Sequence, residues 1–323
     1  MPGMMRPVTA FLTPEQRQAR TDAAVAAAVD AARDLRLTVV EPVVLYDLFS
    51  VVVHLAPAPV VARIPTVLPR NADPADLARR QQDELDVTYW LDGQGVPVIA
   101  PSPLVPPKPV RRNGFSMTFW PLIEQNREEQ PDYVRYAGRV ADLHEAMRGY
   151  PGRLEFLSAA DPQFITDALD ELGAHPALID ASALDRARRE WHVLEPLVRS
   201  REAFEQRFPN ATVQPIHGDS PPANIFAGPD GDLFSDFELV TVGPVEWDLA
   251  GLGPEHAAAY NRAASRLGLR TLDDEILQFV NAVGMLRVVA TLTLVPQLPE
   301  LLQYLRPALD QWPGMPFAGG VGG

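Results

Sequence analysis

The spacing of apolar positions changes character along the chain. Residues 14–35 are rich in alanine, with Val25, Val29 and Ala32 on one face, which predicts a helix. Three β-branched runs follow, LTVVEPVVLY, SVVVHLA and PVVARIP, separated by Asp47-Leu48-Phe49 and Pro57-Ala58-Pro59, and predict consecutive antiparallel strands. A helix is expected from Asp73 to Leu91, entered through Asp73-Pro74, and short strands over 97–100 and 115–120. Beyond Trp120-Pro121 the β signal fades. Val134, Ala137, Val140, Leu143 and Met147 recur at helical spacing within 132–147, and further helices are expected over 162–173, 182–207, 246–267, 272–295 and 298–306. One β island interrupts them, two short strands around the Gly228-Pro229-Asp230-Gly231 turn.

This shift divides the chain into an N-terminal lobe with an antiparallel sheet, residues 1–121, and a mainly helical C-terminal lobe, residues 122–323. The expected class is α+β and bilobal. With 323 residues, 46% of them hydrophobic and 22% charged, the chain can bury a large core without staples. It has no cysteine, which excludes disulfides, thiolate nucleophiles and Cys-ligated metals. Lys and Arg number 28 against 42 Asp and Glu, a net charge of −14, which opposes a phosphate-backbone footprint and argues against nucleic-acid binding. The stretch Ile276 to Val295 is interrupted by Gln278, Asn281 and Arg287, so it reads as a buried helix and not a membrane span. The N-terminus carries no signal-length apolar run, so a cytoplasmic location is expected.

Polar residues concentrate around the β island. His217-Gly218-Asp219 is followed by Asn224 and then Asp236-Phe237-Glu238, offering one carboxylate as a base and an Asn/Asp pair able to hold a hard cation through oxygen. This HGDxxxxN…DFE array, trailed by Gly243-Pro244-Val245-Glu246-Trp247-Asp248-Leu249-Ala250, resembles the aminoglycoside phosphotransferase and choline kinase family, which shares the protein-kinase-like fold. Arg63 in the third strand, Glu84 on the following helix, the segment Phe119-Trp120-Pro121 and the pair Leu143-His144 stand in matching order, so the resemblance covers roughly residues 40–250.

What the resemblance implies is transfer of the γ-phosphoryl of ATP, or GTP, with Mg²⁺ to a hydroxyl of an aminoglycoside-like or other small acceptor. Such a reaction asks mainly for positioning and electrostatic stabilisation. Asp219 would orient the acceptor hydroxyl and take its proton, and Asn224 and Asp236 would hold the metal. Arg63 would meet the phosphates and pair with Glu84, with Ser50 on the phosphate turn and the backbone from Phe119 and Trp120 to Leu122 at the adenine edge. His217 and Asp248 would brace the loop through hydrogen bonds. The acceptor could be cationic, with Asp161, Asp167, Asp170, Glu171 and Glu246 as candidate partners, and the chain is expected to act as a monomer or homodimer. Asp230 and Asp232 read as turn formers, and Arg186, Arg188, Arg189, Arg199 and Arg201 as a solvated helix face.

One departure stands out. The turn Tyr46-Asp47-Leu48-Phe49-Ser50 has no glycine, where many kinases let backbone amides approach phosphate closely, and Asp47 adds a negative charge there. A nucleotide-binding pseudokinase with a regulatory or scaffolding role is therefore the alternative. A hydrolase using His217, Asp219 and Asp236 is a weaker rival. The six histidines form no HExxH, and Gly218-Asp219-Ser220 is no nucleophile elbow.

Overall fold

A computed structural model describes residues 11–124, 130–229 and 231–321. Thr13 opens α1 (Pro14–Asp34) with a capping box: its hydroxyl accepts from the Gln16 N–H while the Gln16 side chain accepts from the Thr13 N–H. The buried face of α1 is largely alanine, Ala24, Ala27, Ala28, Ala31 and Ala32, and it packs over a sheet of β1 (Val39–Asp47), β2 (Ser50–Pro57), β3 (Val60–Pro65), β4 (Val110–Arg112) and β5 (Phe115–Pro121). The strands are antiparallel in the order β1-β2-β3-β5-β4. The period of two in β3 sends Val60, Ala62 and Ile64 into the core with α1. Arg63 leaves on the other face, where α2 (Pro74–Gly93), capped by Asp73, brings Glu84 to it.

The strand expected over 97–100 is not formed. Pro97 opens the segment and Pro101 follows it, and Val98 makes a single bridge, to Phe234. The fourth strand of the sheet is β4, which turns into β5 through Asn113-Gly114, both with positive φ.

The C-terminal lobe contains α3 (Tyr133–Met147), α4 (Pro162–Leu172), α5 (Ala181–Arg199), α6 (Arg201–Arg207), α7 (Pro254–Arg266), α8 (Asp274–Thr291) and α9 (Leu301–Gln311). The single helix expected over 182–207 is two, because Ser200 leaves helical backbone and its hydroxyl accepts from the Ala203 N–H, capping α6. The helix expected from 246 begins only at Pro254: Val245–Leu249 form a 3-10 turn, and Gly251 and Gly253 take positive φ. Arg186 does not sit on a merely solvated face; it bonds Glu190 and the Met315 carbonyl and lies over Trp312. α8 and the turn after it, residues 274–294, are long and apolar enough to cross a membrane, yet Phe279, Val280, Val283, Leu286 and Val289 are buried in the core of the lobe.

Two small antiparallel pairs lie between these helices and the sheet: β6 (Val213–Ile216) with β9 (Thr241–Pro244), the latter not foreseen, and β7 (Ile225–Gly228) with β8 (Gly231–Phe234). Asp230 lies outside the described residues. Asp232 does more than form a turn, because Arg139 and Arg135 of α3 both pair with it, at 2.8 and 3.1 Å. An apolar cluster joins the lobes: Val87 and Leu91 of α2 meet Leu143 and Met147 of α3, Phe234 and the fully buried Phe237. The architecture is bilobal α+β, a small sheet lobe on a larger helical one, with the topology of the protein-kinase-like fold.

Candidate active site

β6 ends at Ile216 and delivers His217, Gly218 and Asp219 into the cleft. Asp248, fully buried in the 3-10 turn, fixes this loop: its carboxylate accepts from the His217 N–H (2.9 Å), the Gly218 N–H (2.7 Å) and His144 Nε2 (2.9 Å). The Nδ1 of His144 meets the Tyr260 hydroxyl at 2.9 Å, so the carboxylate is the end of a buried chain of polar groups. Trp247 Nε1 donates to the Gly218 carbonyl at 2.9 Å. Gly218 has φ +89°, and a Cβ there would stand 1.9 Å from the Leu239 carbonyl oxygen, so only glycine fits. His217 donates from Nε2 to the Ser235 carbonyl (2.9 Å), accepts the Asp219 N–H at Nδ1 (3.3 Å) and packs against Phe237.

Asn224 and Asp236 are brought together by the β7–β8 register. Ile225 pairs with Phe234, so the residue before β7 and those just after β8 share the open end of the hairpin, and both the amide and the hydroxyl of Ser235 donate to the Asn224 carbonyl at 2.9 Å. The Asn224 amide nitrogen donates to the Asp219 carbonyl (2.6 Å) and reaches its carboxylate (3.4 Å), which leaves Oδ1 as an oxygen donor. Ser220 and Asp236 both hold left-handed backbone, φ +47° and +61°, the kind of strain that persists where surrounding structure fixes it.

From the N-terminal lobe, Arg63 reaches Asp236 and Glu238. One end of its guanidinium pairs with Glu84 and the other with Asp236, and Glu238 stands 3.4 Å away. Its Nε is buried with no partner among the described residues. Trp120 lies beside it, the guanidinium carbon 5.9 Å from the ring centroid. Ser50 opens β2 and its carbonyl accepts from the Leu48 N–H. At the hinge, the Phe119 carbonyl is taken by the Ser102 N–H and the Leu122 N–H by the Pro59 carbonyl, so these two backbone groups are engaged inside the lobe; the Phe119 side chain is core. Asp47 accepts from the Thr21 hydroxyl at 2.6 Å.

The electrostatics follow from crowding of carboxylates. Burial pushes the Glu84 carboxyl up to about 8, with Arg63 opposing and Asp236 and Glu238 adding to the rise. Burial likewise raises Asp219, countered by Arg287 and reinforced by Asp236, and raises Glu238. Desolvation works against the Arg63 charge, but Glu84, Asp236 and Glu238 outweigh it and hold the guanidinium firmly protonated. Among the described residues no cluster of three His, Cys, Asp or Glu side chains forms a metal cage. A donor set of one amide and one or two carboxylate oxygens suits Mg²⁺, which keeps waters and shares its sphere with phosphate, and the orphaned Arg63 Nε suits an incoming anion.

Sequence reasoning did not single out two groups. Glu238 was visible only as the third letter of DFE. Arg287, on α8, belongs to no motif, and its charge reaches both Asp219 and Glu238. Of the candidate acceptor carboxylates, Asp161, Asp167 and Glu171 line a cavity of about 720 Å³ between the lobes. Glu246 does not serve as one: it is fully buried, bonded to Arg270 and to the Asp273 N–H.

A bilobal kinase-like fold with a carboxylate, an amide and a second carboxylate facing an arginine–glutamate pair defines a small-molecule phosphotransferase class. The pattern of the phosphotransferase enzyme family matches residues 49–276, more than two thirds of the chain, and the protein belongs to that family. Solved structures agree in fold. The GDP complex of aminoglycoside 2'-phosphotransferase-IIIa is 12% identical, with a TM-score of 0.58 over 88% of this chain and 96% of its own. Amicoumacin kinase hAmiN, in complex with AMP-PNP, Ca²⁺ and Ami, is 13% identical, with a TM-score of 0.57 over 95% and 99%. A microcompartment-associated aminopropanol kinase is 16% identical, with a TM-score of 0.55 over 91% and 99%. Among curated proteins no sequence matches the chain.

Proposed function

We propose that the protein transfers the γ-phosphoryl group of ATP or GTP to a hydroxyl of a small-molecule acceptor. The observation that carries this reading is the meeting of Arg63 and Glu84 from one lobe with Asp219, Asn224, Asp236 and Glu238 from the other at a single cleft. Asn224 Oδ1 and the Asp236 carboxylate are the groups that would hold Mg²⁺, which supplies charge neutralisation to the phosphate oxygens. Solved relatives by fold carry GDP or AMP-PNP, which supports a purine nucleotide.

Asp219 binds the acceptor hydroxyl and accepts its proton; the burial that raises its carboxyl makes it a better base near neutral pH than an ordinary aspartate. Arg63 exchanges its hold on Asp236 for phosphate oxygens while Glu84 keeps it aimed, and its unpartnered Nε gains an acceptor. Asp248 and His217 keep the loop in place, so Asp219 needs no rearrangement to react.

The test is a panel of amino alcohols, aminoglycosides and sugars incubated with the protein, Mg²⁺ and ATP or GTP, with mass spectrometry reading added phosphate. Transfer to at least one hydroxyl is expected. Tight nucleotide binding with no acceptor modified would instead favour the pseudokinase reading, which the glycine-free turn at 46–50 motivates.

A further inference from the structure

α2 is held at its two ends by different physics. Its C-terminal half is anchored by apolar packing, Val87 and Leu91 against Phe237 and Met147. Its N-terminal half faces the 720 Å³ cavity, where polar ties cross to the other lobe: Arg80 to Asp161 at 3.2 Å, Arg79 to Glu155 at 3.2 Å, Arg70 to Glu171 at 3.5 Å and Asn71 to Asp167 at 3.4 Å. Glu84 lies between the two halves, one helical turn beyond Arg80 on the same face.

Asp161 is itself set by the catalytic side. It takes left-handed backbone, φ +50°, and Leu157 does the same at +45°, so the short turn Ser158–Ala160 is bracketed by two strained residues. That turn is stitched to β9: Leu157 N–H donates to the Val242 carbonyl (2.7 Å) and Ser158 N–H to the Thr241 hydroxyl (2.9 Å). Ala159 packs against Gly218, the residue before Asp219, its methyl 3.2 Å from where a Gly218 Cβ would stand. Arg80, bonded also to Asp76 at 2.9 Å, is three-quarters shielded from solvent, with 23% of its side chain exposed, so its pairing with Asp161 is less screened than a surface ion pair.

We propose that Arg80 and Asp161 are a positioning pair. Their ion pair couples the catalytic loop to the tilt of α2, and through Glu84 it sets Arg63 for the nucleotide phosphates. A chain of packed groups with a charged link can carry such coupling between sites. Neither residue touches the reacting atoms. Only the kinetic arm of the test rests on the phosphotransferase reading given above.

The substitutions are Asp161→Asn, which removes the charge while asparagine still tolerates left-handed backbone, Arg80→Gln, the double variant, and Arg80→Lys as the charge-keeping control. In the nucleotide-free protein, hydrogen–deuterium exchange is expected to rise about tenfold over residues 74–86 and 217–224 in either single variant, with 87–91 unchanged. The double variant should match a single one, and Arg80→Lys should recover most of the protection. With Mg-ATP, KM for the nucleotide should rise about fivefold while kcat at saturation changes less than about twofold. Exchange that rises only within 157–161 in Asp161→Asn, or effects that add in the double variant, would overturn the proposal whether or not the protein turns over ATP.

Discussion

On the C-terminal side of the cleft the functional groups are fixed through backbone: Asp248 takes two amides of the loop, Trp247 its carbonyl, and His217 ties it to Ser235. On the N-terminal side the strand fixes the Arg63 backbone, but its guanidinium is held by side chains, Glu84, Asp236 and Glu238. The difference teaches a division of labour. On the proposed reading, groups that would meet a small, fixed set of atoms are built rigid, while the cation that would receive the nucleotide is held by partners it can trade. Phe237 serves both sides, because its ring packs on His217 and on the apolar end of α2.

The largest expected effect breaks chemistry without touching either half's framework. Asp219→Asn should lower phosphoryl transfer about a thousandfold while thermal stability stays within about 2 °C of wild type; a variant that keeps its rate would remove Asp219 from the reaction. Next come changes to the rigid side. Asp248→Ala leaves two loop amides and His144 without their acceptor, and denaturant titration should show a loss of about 3–5 kcal/mol. Gly218→Ala should be comparably harmful, since its methyl would enter the Leu239 carbonyl. If either variant matched wild type, the loop would not be rigid in the way described.

The tradable side should respond differently. Arg63→Lys keeps a charge but not the forked donors, so KM for Mg-ATP should rise about tenfold with a stability loss well below that of Asp248→Ala; a stability loss as large as that of Asp248→Ala would erase the contrast. The smallest effect is in the pH profile. Glu84 is raised to about 8 in the folded chain from an ordinary 4.5. The native state therefore keeps a proton that the unfolded state releases between those values, and this group's contribution to stability falls as pH rises across that window and is level outside it. Melting temperatures of wild type minus Glu84→Gln should decline from about pH 5 to about pH 8; a difference that rises with pH would contradict the crowded-carboxylate picture.

Much of this was legible in the sequence because it is local. The β-branched run PVVARIP sets Arg63 in the third strand, Asp73-Pro74 starts a helix, and HGD, Asn224 and DFE carry their own spacing. Other parts depend on distant partners. β9, with Gly243 and Pro244, has weak strand character and exists because β6 offers it a ladder. Arg287 lies more than sixty residues beyond Asp219 in the chain, and only the packing of α8 brings its charge near. The segment 97–100 looked like a strand by composition but Pro97 and Pro101 spoil the ladder, while the Asn113-Gly114 turn, a short-range hairpin signal, marked the true neighbour β4.

Calorimetric titration of ATP with and without Mg²⁺, in wild type and in Asp236→Asn, tests most directly whether the two halves form one metal–nucleotide site. Mg²⁺ should tighten ATP binding to wild type and do little for the variant. An equal effect of Mg²⁺ on both proteins, or no ATP binding by wild type, would contradict it.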